Sequence, residues 1–114
     1  LETNNRVEEG LRSYERNLQN IITICKSRNI EVILSTYCFY LHEKVKTSEI
    51  HKLYETIVIK ENFVIKKLAE ENKLKLVDAY NLIPKDNKNF VDTVHFTPDG
   101  MKLLAKNISE HIKI

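Results

Sequence analysis

Asp92 and His95 stand three residues apart in the segment Phe90-Val91-Asp92-Thr93-Val94-His95-Phe96-Thr97-Pro98-Asp99-Gly100. A carboxylate beside an imidazole is proton-transfer machinery. The imidazole takes a proton from a nucleophile, while the carboxylate fixes its tautomer and steadies the imidazolium that forms. A strong helix start follows at once. Thr97 is a good N-cap, Pro98 suits the first helical position, and Asp99 favours the positive end of the helix dipole. The pair is therefore expected on a short loop at the mouth of a helix, a place where rigid frames commonly carry catalytic groups. Two members of a hydrolytic triad are accounted for in this way, and the nucleophile is not.

The other candidates are weaker. Ser35, Thr36 and Cys38 fall at the end of an expected strand and could be offered as nucleophiles. Turn chemistry and loop packing explain them better, and Cys38 has no activating cation nearby in sequence. His51 and Glu55 are one helical turn apart, but two ligands do not make a metal site, and a solvated helix face accounts for them. Tyr37, Phe39 and Tyr40 form an aromatic group that could line a substrate pocket or cover a sheet edge. Asp78, at the end of a second expected strand, reads as a structural carboxylate.

These residues need a frame, and the hydrophobic pattern supplies one. Val7, Leu11, Tyr14, Leu18, Ile21, Ile22 and Cys25 recur at spacings of three and four, the stripe of a long amphipathic helix. Ile30-Glu31-Val32-Ile33-Leu34-Ser35-Thr36 is a short β-branched run, nearly continuous in apolar character, as expected of a strand covered on both faces. Ser48 can cap a second long helix reaching to about Asn72, with Ile50, Leu53, Tyr54, Ile57, Val64, Ile65 and Leu68 on its apolar side. Leu74 to Asp78 reads as the next strand. The last helix is expected from Pro98 to about Lys113, burying Met101, Leu104, Ala105, Ile108 and Ile112. Strands separated by long helices imply right-handed crossovers and a parallel sheet, whose ligands bind beyond the carboxyl ends of the strands. Thr36 to Tyr40, Asp78 to Tyr80 and Asp92 to His95 should then gather at one edge. A sheet of two strands leaves an open hydrogen-bonding edge, which implies a partner segment.

The bulk numbers narrow the class. A chain of 114 residues is one domain or part of one. A net charge of +2 gives no case for nucleic acid or an anionic membrane surface. No apolar stretch approaches the ~20 residues of a membrane span. Cys25 and Cys38 read as reduced thiols, which leans slightly toward the cytoplasm.

The order of elements and the motif together resemble the C-terminal half of the SGNH hydrolases, the GDSL-like lipase and esterase family. The residues that carry the resemblance are Leu76-Val77-Asp78-Ala79-Tyr80 at a strand end, then Asp92-Thr93-Val94-His95 followed by Thr97 and Gly100 before the last helix. The resemblance extends over residues 1–114, read as a single, incomplete domain. It implies an α/β fold, the C-terminal portion of a flavodoxin-like three-layer sandwich with a parallel sheet. It also implies hydrolysis of a small acyl ester, such as an acetylated sugar or a lipid, through a serine acyl-enzyme with no metal or organic cofactor. His95 would be the base and Asp92 its orienting carboxylate; of the aromatic group after the first strand, Tyr37 and Phe39 are the residues expected to contact substrate. The family's Gly-Asp-Ser and Gly-x-Asn-Asp blocks do not occur in this sequence. The nucleophile and the oxyanion donors are therefore expected before Leu1 or on another chain, and residues 1–114 alone are expected to be catalytically incomplete. The alternative is a non-catalytic interaction or oligomerisation module derived from the same fold.

Overall fold

The computed structural model describes residues 2–112. Helix α1 spans Glu2–Ser27, strand β1 Ile33–Ser35, helix α2 Glu49–Glu71, strand β2 Lys75–Val77, the short helix α3 Ala79–Leu82 and helix α4 Pro98–Ser109. A single 3₁₀ turn, Glu43–Val45, interrupts the long loop between β1 and α2. The strands pair in parallel, with Ile33 opposite Lys75, Leu34 opposite Leu76 and Ser35 opposite Val77.

Alternation along these strands sends side chains to two separate cores. Leu34 packs with Ile22 of α1 and with Val64, Ile65, Leu68 and Ala69 of α2, joined by Leu76 from the facing strand. Val77 and Ile33 point the other way, into a cluster with Ala79, Ile83, Phe90, Leu104 and Ile108. Helices thus cover both faces of a small parallel sheet, as period-two side-chain geometry demands of strands buried on two sides.

On the first face α1 and α2 run side by side in the same direction. Lys60 pairs with Glu8 at 3.1 Å and Lys67 with Glu15 at 2.9 Å. Further along, the side-chain amides of Gln19 and Asn72 exchange hydrogen bonds of 3.1 and 2.8 Å. Ascending numbers meet ascending numbers, which is the parallel arrangement that a crossover helix imposes on the helix before its strand. Both helices end in the same way without glycine. Asn29 (φ 57°) and Lys73 (φ 55°) take the left-handed conformation, and the next amides, of Ile30 and Leu74, donate back to Cys25 and Ala69 at 2.9 and 2.8 Å. This is the 6→1 closure that satisfies carbonyls at a helix end.

Several sequence expectations need correction. The strands are three residues each, because β1 has a ladder only where β2 runs beside it, and residues 30–32 have no strand to pair with. β1 is not covered throughout: Leu34 is buried and Ile33 half-buried, but Ser35 is exposed. The last helix stops at Ser109, and Lys113 lies outside the described residues. Met101, Ala105 and Ile112, expected inside, are exposed, as are Ile21, Ile50 and Tyr54 on the other helices. The reason is shape. The Cα radius of gyration is 15.6 Å, against roughly 13 Å for a compact domain of this length. The principal extents of 45 × 39 × 16 Å describe a slab. The outer helices meet a neighbour on one side only, so part of each apolar stripe faces solvent. Among the described residues no helix is long and apolar enough to cross a membrane.

Candidate active site

The segment from Asp86 to Gly100 is built around a buried asparagine. Asn89 is 2% exposed, and its side-chain amide donates to Pro84 O at 3.1 Å and to Asp86 Oδ1 at 3.0 Å. Its own carbonyl accepts from Thr97 N at 2.9 Å. The first turn of α4 presses so closely on that carbonyl that a Cβ at Gly100 would lie 2.2 Å from Asn89 O. Thr97 caps the helix, its Oγ1 accepting from Gly100 N at 3.1 Å. Glycine is needed here for close approach of backbone to backbone.

From this base the chain makes a tight excursion. Phe90 and Phe96 form an antiparallel bridge, and Val91 N donates to His95 O at 2.8 Å. Their rings pack at 5.0 Å between centroids, with Tyr40 5.6 Å from Phe90. Apolar packing at the neck leaves the tip, residues 91–95, to be ordered by hydrogen bonds.

Asp92 supplies them. Its Oδ1 accepts from the backbone amides of Val94 and His95 at 2.9 and 2.8 Å, and His95 Nδ1 lies 3.0 Å from Oδ1 and 2.8 Å from Oδ2. The two amide donors, followed by the imidazole, hold the Asp92 carboxyl down at a pKa of about 2. An ionised carboxylate only accepts, so Nδ1 carries a proton, and in the neutral imidazole Nε2 then presents the lone pair. Nε2 meets no hydrogen-bond partner among the described residues, and the two side chains are 74% and 53% exposed. The result is an oriented imidazole with an open basic nitrogen, ready to accept a proton from a group brought against it.

Three connections fix this tip relative to the sheet. Tyr40 N donates to Thr93 O at 2.9 Å, tying the loop after β1 to the Asp92–His95 loop. That loop is itself clamped by Asn62 of α2, whose Oδ1 accepts from Tyr37 N at 2.7 Å and whose Nδ2 donates to Tyr37 O at 2.9 Å. At the strand ends Thr36 Oγ1 donates to Asp78 Oδ1 at 3.0 Å and accepts from Tyr80 N at 2.9 Å. Burial pushes the Asp78 carboxyl up. Hydrogen bonds from Asn81, Thr36 and Lys66 more than reverse this and hold it below the usual range. Asp78 is thus engaged in joining the two strand ends.

Tyr37 and Phe39 border one groove of about 510 Å³, whose lining is completed by Thr93 and Val94 of the Asp92–His95 loop and by the face of α2 that carries His51, Tyr54 and Glu61. Tyr37 is 51% exposed, whereas Phe39 is 3% exposed and contributes to the groove's floor. Cys38 is buried, and desolvation pushes its thiol up to about 11, with Lys85 opposing and Asp78 adding to the rise. It is a protonated core thiol, not a nucleophile. His51 Nδ1 sits 2.8 Å from Ser48 Oγ at the start of α2. Among the described residues no three His, Cys, Asp or Glu side chains come together as a metal cluster.

Sequence reasoning missed Asn62 and Asn89. Asn62 had a signal: it is a polar residue on the buried stripe between Val58 and Ile65, where only a satisfied amide is tolerated. Asn89 lies in a polar loop and carries no such mark.

No family model matches the chain, and no curated protein matches it. Among solved structures it is similar to the crystal structure of an acetyl xylan esterase, AlAXEase, with a TM-score of 0.72 and 24% sequence identity. The match covers 90% of this chain and 56% of that one. The chain therefore shares its α/β fold with part of that structure, and it spans about half that protein's length.

Proposed function

We propose that this chain is the base-carrying half of an SGNH-type serine esterase, on the C-terminal portion of a flavodoxin-like three-layer sandwich. The observation that carries the reading is the Asp92–His95 pair: Nδ1 is held by an ionised carboxylate while Nε2 is open, at the carboxyl ends of parallel strands. The likeness to an acetyl xylan esterase supports it.

In this reading a serine hydroxyl reaches Nε2 of His95 from a segment outside residues 1–114 or from another chain. Nε2 takes the hydroxyl proton as the oxygen attacks the acyl carbon. The imidazolium, steadied by Asp92, returns that proton to the departing alcohol. Water then repeats the sequence against the acyl-enzyme. The oxyanion donors come from the same outside segment, and without them the imidazole alone supplies little rate. The partner segment also covers the open edge of β1 and the exposed apolar faces of the slab.

The test is intact-mass spectrometry of the protein as it occurs in its source, before and after a fluorophosphonate, together with hydrolysis of phenyl acetate by wild type and His95→Ala. One adduct on a serine outside this chain, and hydrolysis that is lost with His95, are expected. Absence of an adduct, or hydrolysis that survives His95→Ala, overturns the reading. In the first of those cases the slab's open edge makes an interaction module the better account.

A further inference from the structure

The groove beside the Asp92–His95 loop has an uneven charge lining. Glu61 and His51 are its titratable groups besides tyrosine, and no lysine or arginine borders it. Tyr37 and Tyr54 are half exposed along its walls, and Thr93 and Val94 bring the wall of the Asp92–His95 loop against it. Glu61 is half-buried and has neither an ion pair nor a hydrogen bond among the described residues. Tyr14 faces it from α1, and burial together with the charge of Glu61 raises the pKa of that phenol. A partly desolvated carboxylate left unpaired in a concave site is costly unless a ligand group uses it. Six other carboxylates on this slab are differently placed. Glu8, Glu15, Glu31, Glu43, Glu49 and Asp78 all have lysine partners.

We propose that this groove is the subsite for the alcohol portion of the ester, and that Glu61 makes it select uncharged or cationic alcohols over anionic ones. The tyrosine rings offer flat apolar faces and hydroxyls, which suit a neutral ring-shaped group. Glu61 offers an acceptor for its hydroxyl or ammonium donors. A carboxylate or phosphate on the ligand would meet Glu61 with no cation in the groove's own lining, Arg6 bordering the neighbouring groove between α1 and α2 instead. Across about 6 Å in a partly screened site, that repulsion weakens binding about tenfold or more. The subsite assignment rests on the esterase reading, whereas the charge selection is a property of the groove itself.

The experiment is a titration of the full ¹⁵N-labelled chain at about pH 8, above the ordinary imidazole range. The ligands are phenyl acetate and 4-acetoxybenzoate, esters that differ by one carboxylate. The readout is the backbone amide shifts of Tyr37, Thr93 and Val94, in wild type, Glu61→Gln and Glu61→Ala. Phenyl acetate is expected to move these amides, 4-acetoxybenzoate to bind at least about tenfold more weakly, and both variants to erase the difference. Equal binding of the two esters overturns the proposal, as does discrimination that persists without Glu61, or groove amides that neither ester moves. Selective binding with no His95-dependent hydrolysis in the intact protein leaves the charge selection standing and overturns the esterase reading alone.

Discussion

Replacing Gly100 by alanine tests whether the first turn of α4 and the base of the Asp92–His95 loop form one rigid unit. The added Cβ would sit 2.2 Å from Asn89 O, 3.0 Å from Asn89 C and 3.0 Å from Phe96 Cδ1. Two of those atoms are backbone, so no side-chain rotation relieves the clash, and the helix must retreat. Overpacking of this kind costs about 1–3 kcal/mol. Retreat also pulls Thr97 N away from the buried Asn89 carbonyl, now 2.9 Å distant, and leaving such a group unpaired costs about 1–3 kcal/mol. Alanine returns about 1 kcal/mol through its better helix propensity. The net expectation is a loss of about 3 kcal/mol, or roughly 12 °C in Tm for a chain of this length. Thermal and urea melts followed by far-UV circular dichroism measure it. A Gly100→Ala protein that melts within about 2 °C of wild type, or above it, would refute the idea that this contact fixes the loop.

Other predictions follow from the same geometry. Asp92 has a folded-state pKa of about 2, below its ordinary 3.8, so its contribution to stability is present above pH ~4 and lost as pH falls through about 2. Asp92→Asn should remove that part of the acid sensitivity, and an unchanged acid-melting profile would count against the hydrogen-bonded carboxylate. His95→Ala should leave Tm unchanged because the ring is mostly solvent-exposed; a large drop would show that the imidazole holds the loop together. Cys25 is half-buried and Cys38 buried with a thiol at about 11, so a disulfide reagent near neutral pH should label Cys25 first and reach Cys38 only on unfolding. Rapid native-state labelling of Cys38 would contradict its placement. Asn62→Ala orphans both the amide and the carbonyl of Tyr37 and should cost about 2–4 kcal/mol in a urea melt; a near-neutral result would mean that water replaces the clamp.

What the sequence disclosed depended on the range of the interaction. The helix start at Thr97-Pro98-Asp99 and the long stripes of α1 and α2 are local patterns, and they were legible because cap chemistry and periodicity act within a few residues. The extent of β1 was not, since Ile30 to Val32 have strand propensity but no strand to bond. The exposure of Met101 and Ile112 was equally hidden, because an apolar stripe says which face seeks cover, not whether cover is present. At the site, the adjacency of Asp92 and His95 could be read from their spacing. The long-range ties, Asn62 to Tyr37 and Tyr40 to Thr93, join residues 25 and more positions apart and leave no short motif.

The open slab and the ordered Asp92–His95 pair are compatible because they draw on different interactions. The pair is set by amides of its own loop, by the Phe90–Phe96 neck and by the Asn89–Gly100 contact, all contained within residues 86–100. None of these uses the free edge of β1 or the exposed faces of α1 and α4. A segment that completes the sheet therefore has no need to build the base. In the proposed esterase it would only have to present a nucleophile to an imidazole already oriented by Asp92, which is the entropic advantage that preorganisation gives a catalytic group. If the pair were instead formed only on assembly, the neutral imidazole of His95 would populate both tautomers in the chain alone. Imidazole ¹⁵N shifts in which Nδ1 is the protonated nitrogen of the neutral ring, a preference lost in Asp92→Asn, are the expected result, and their absence would place the ordering of the site in the partner instead.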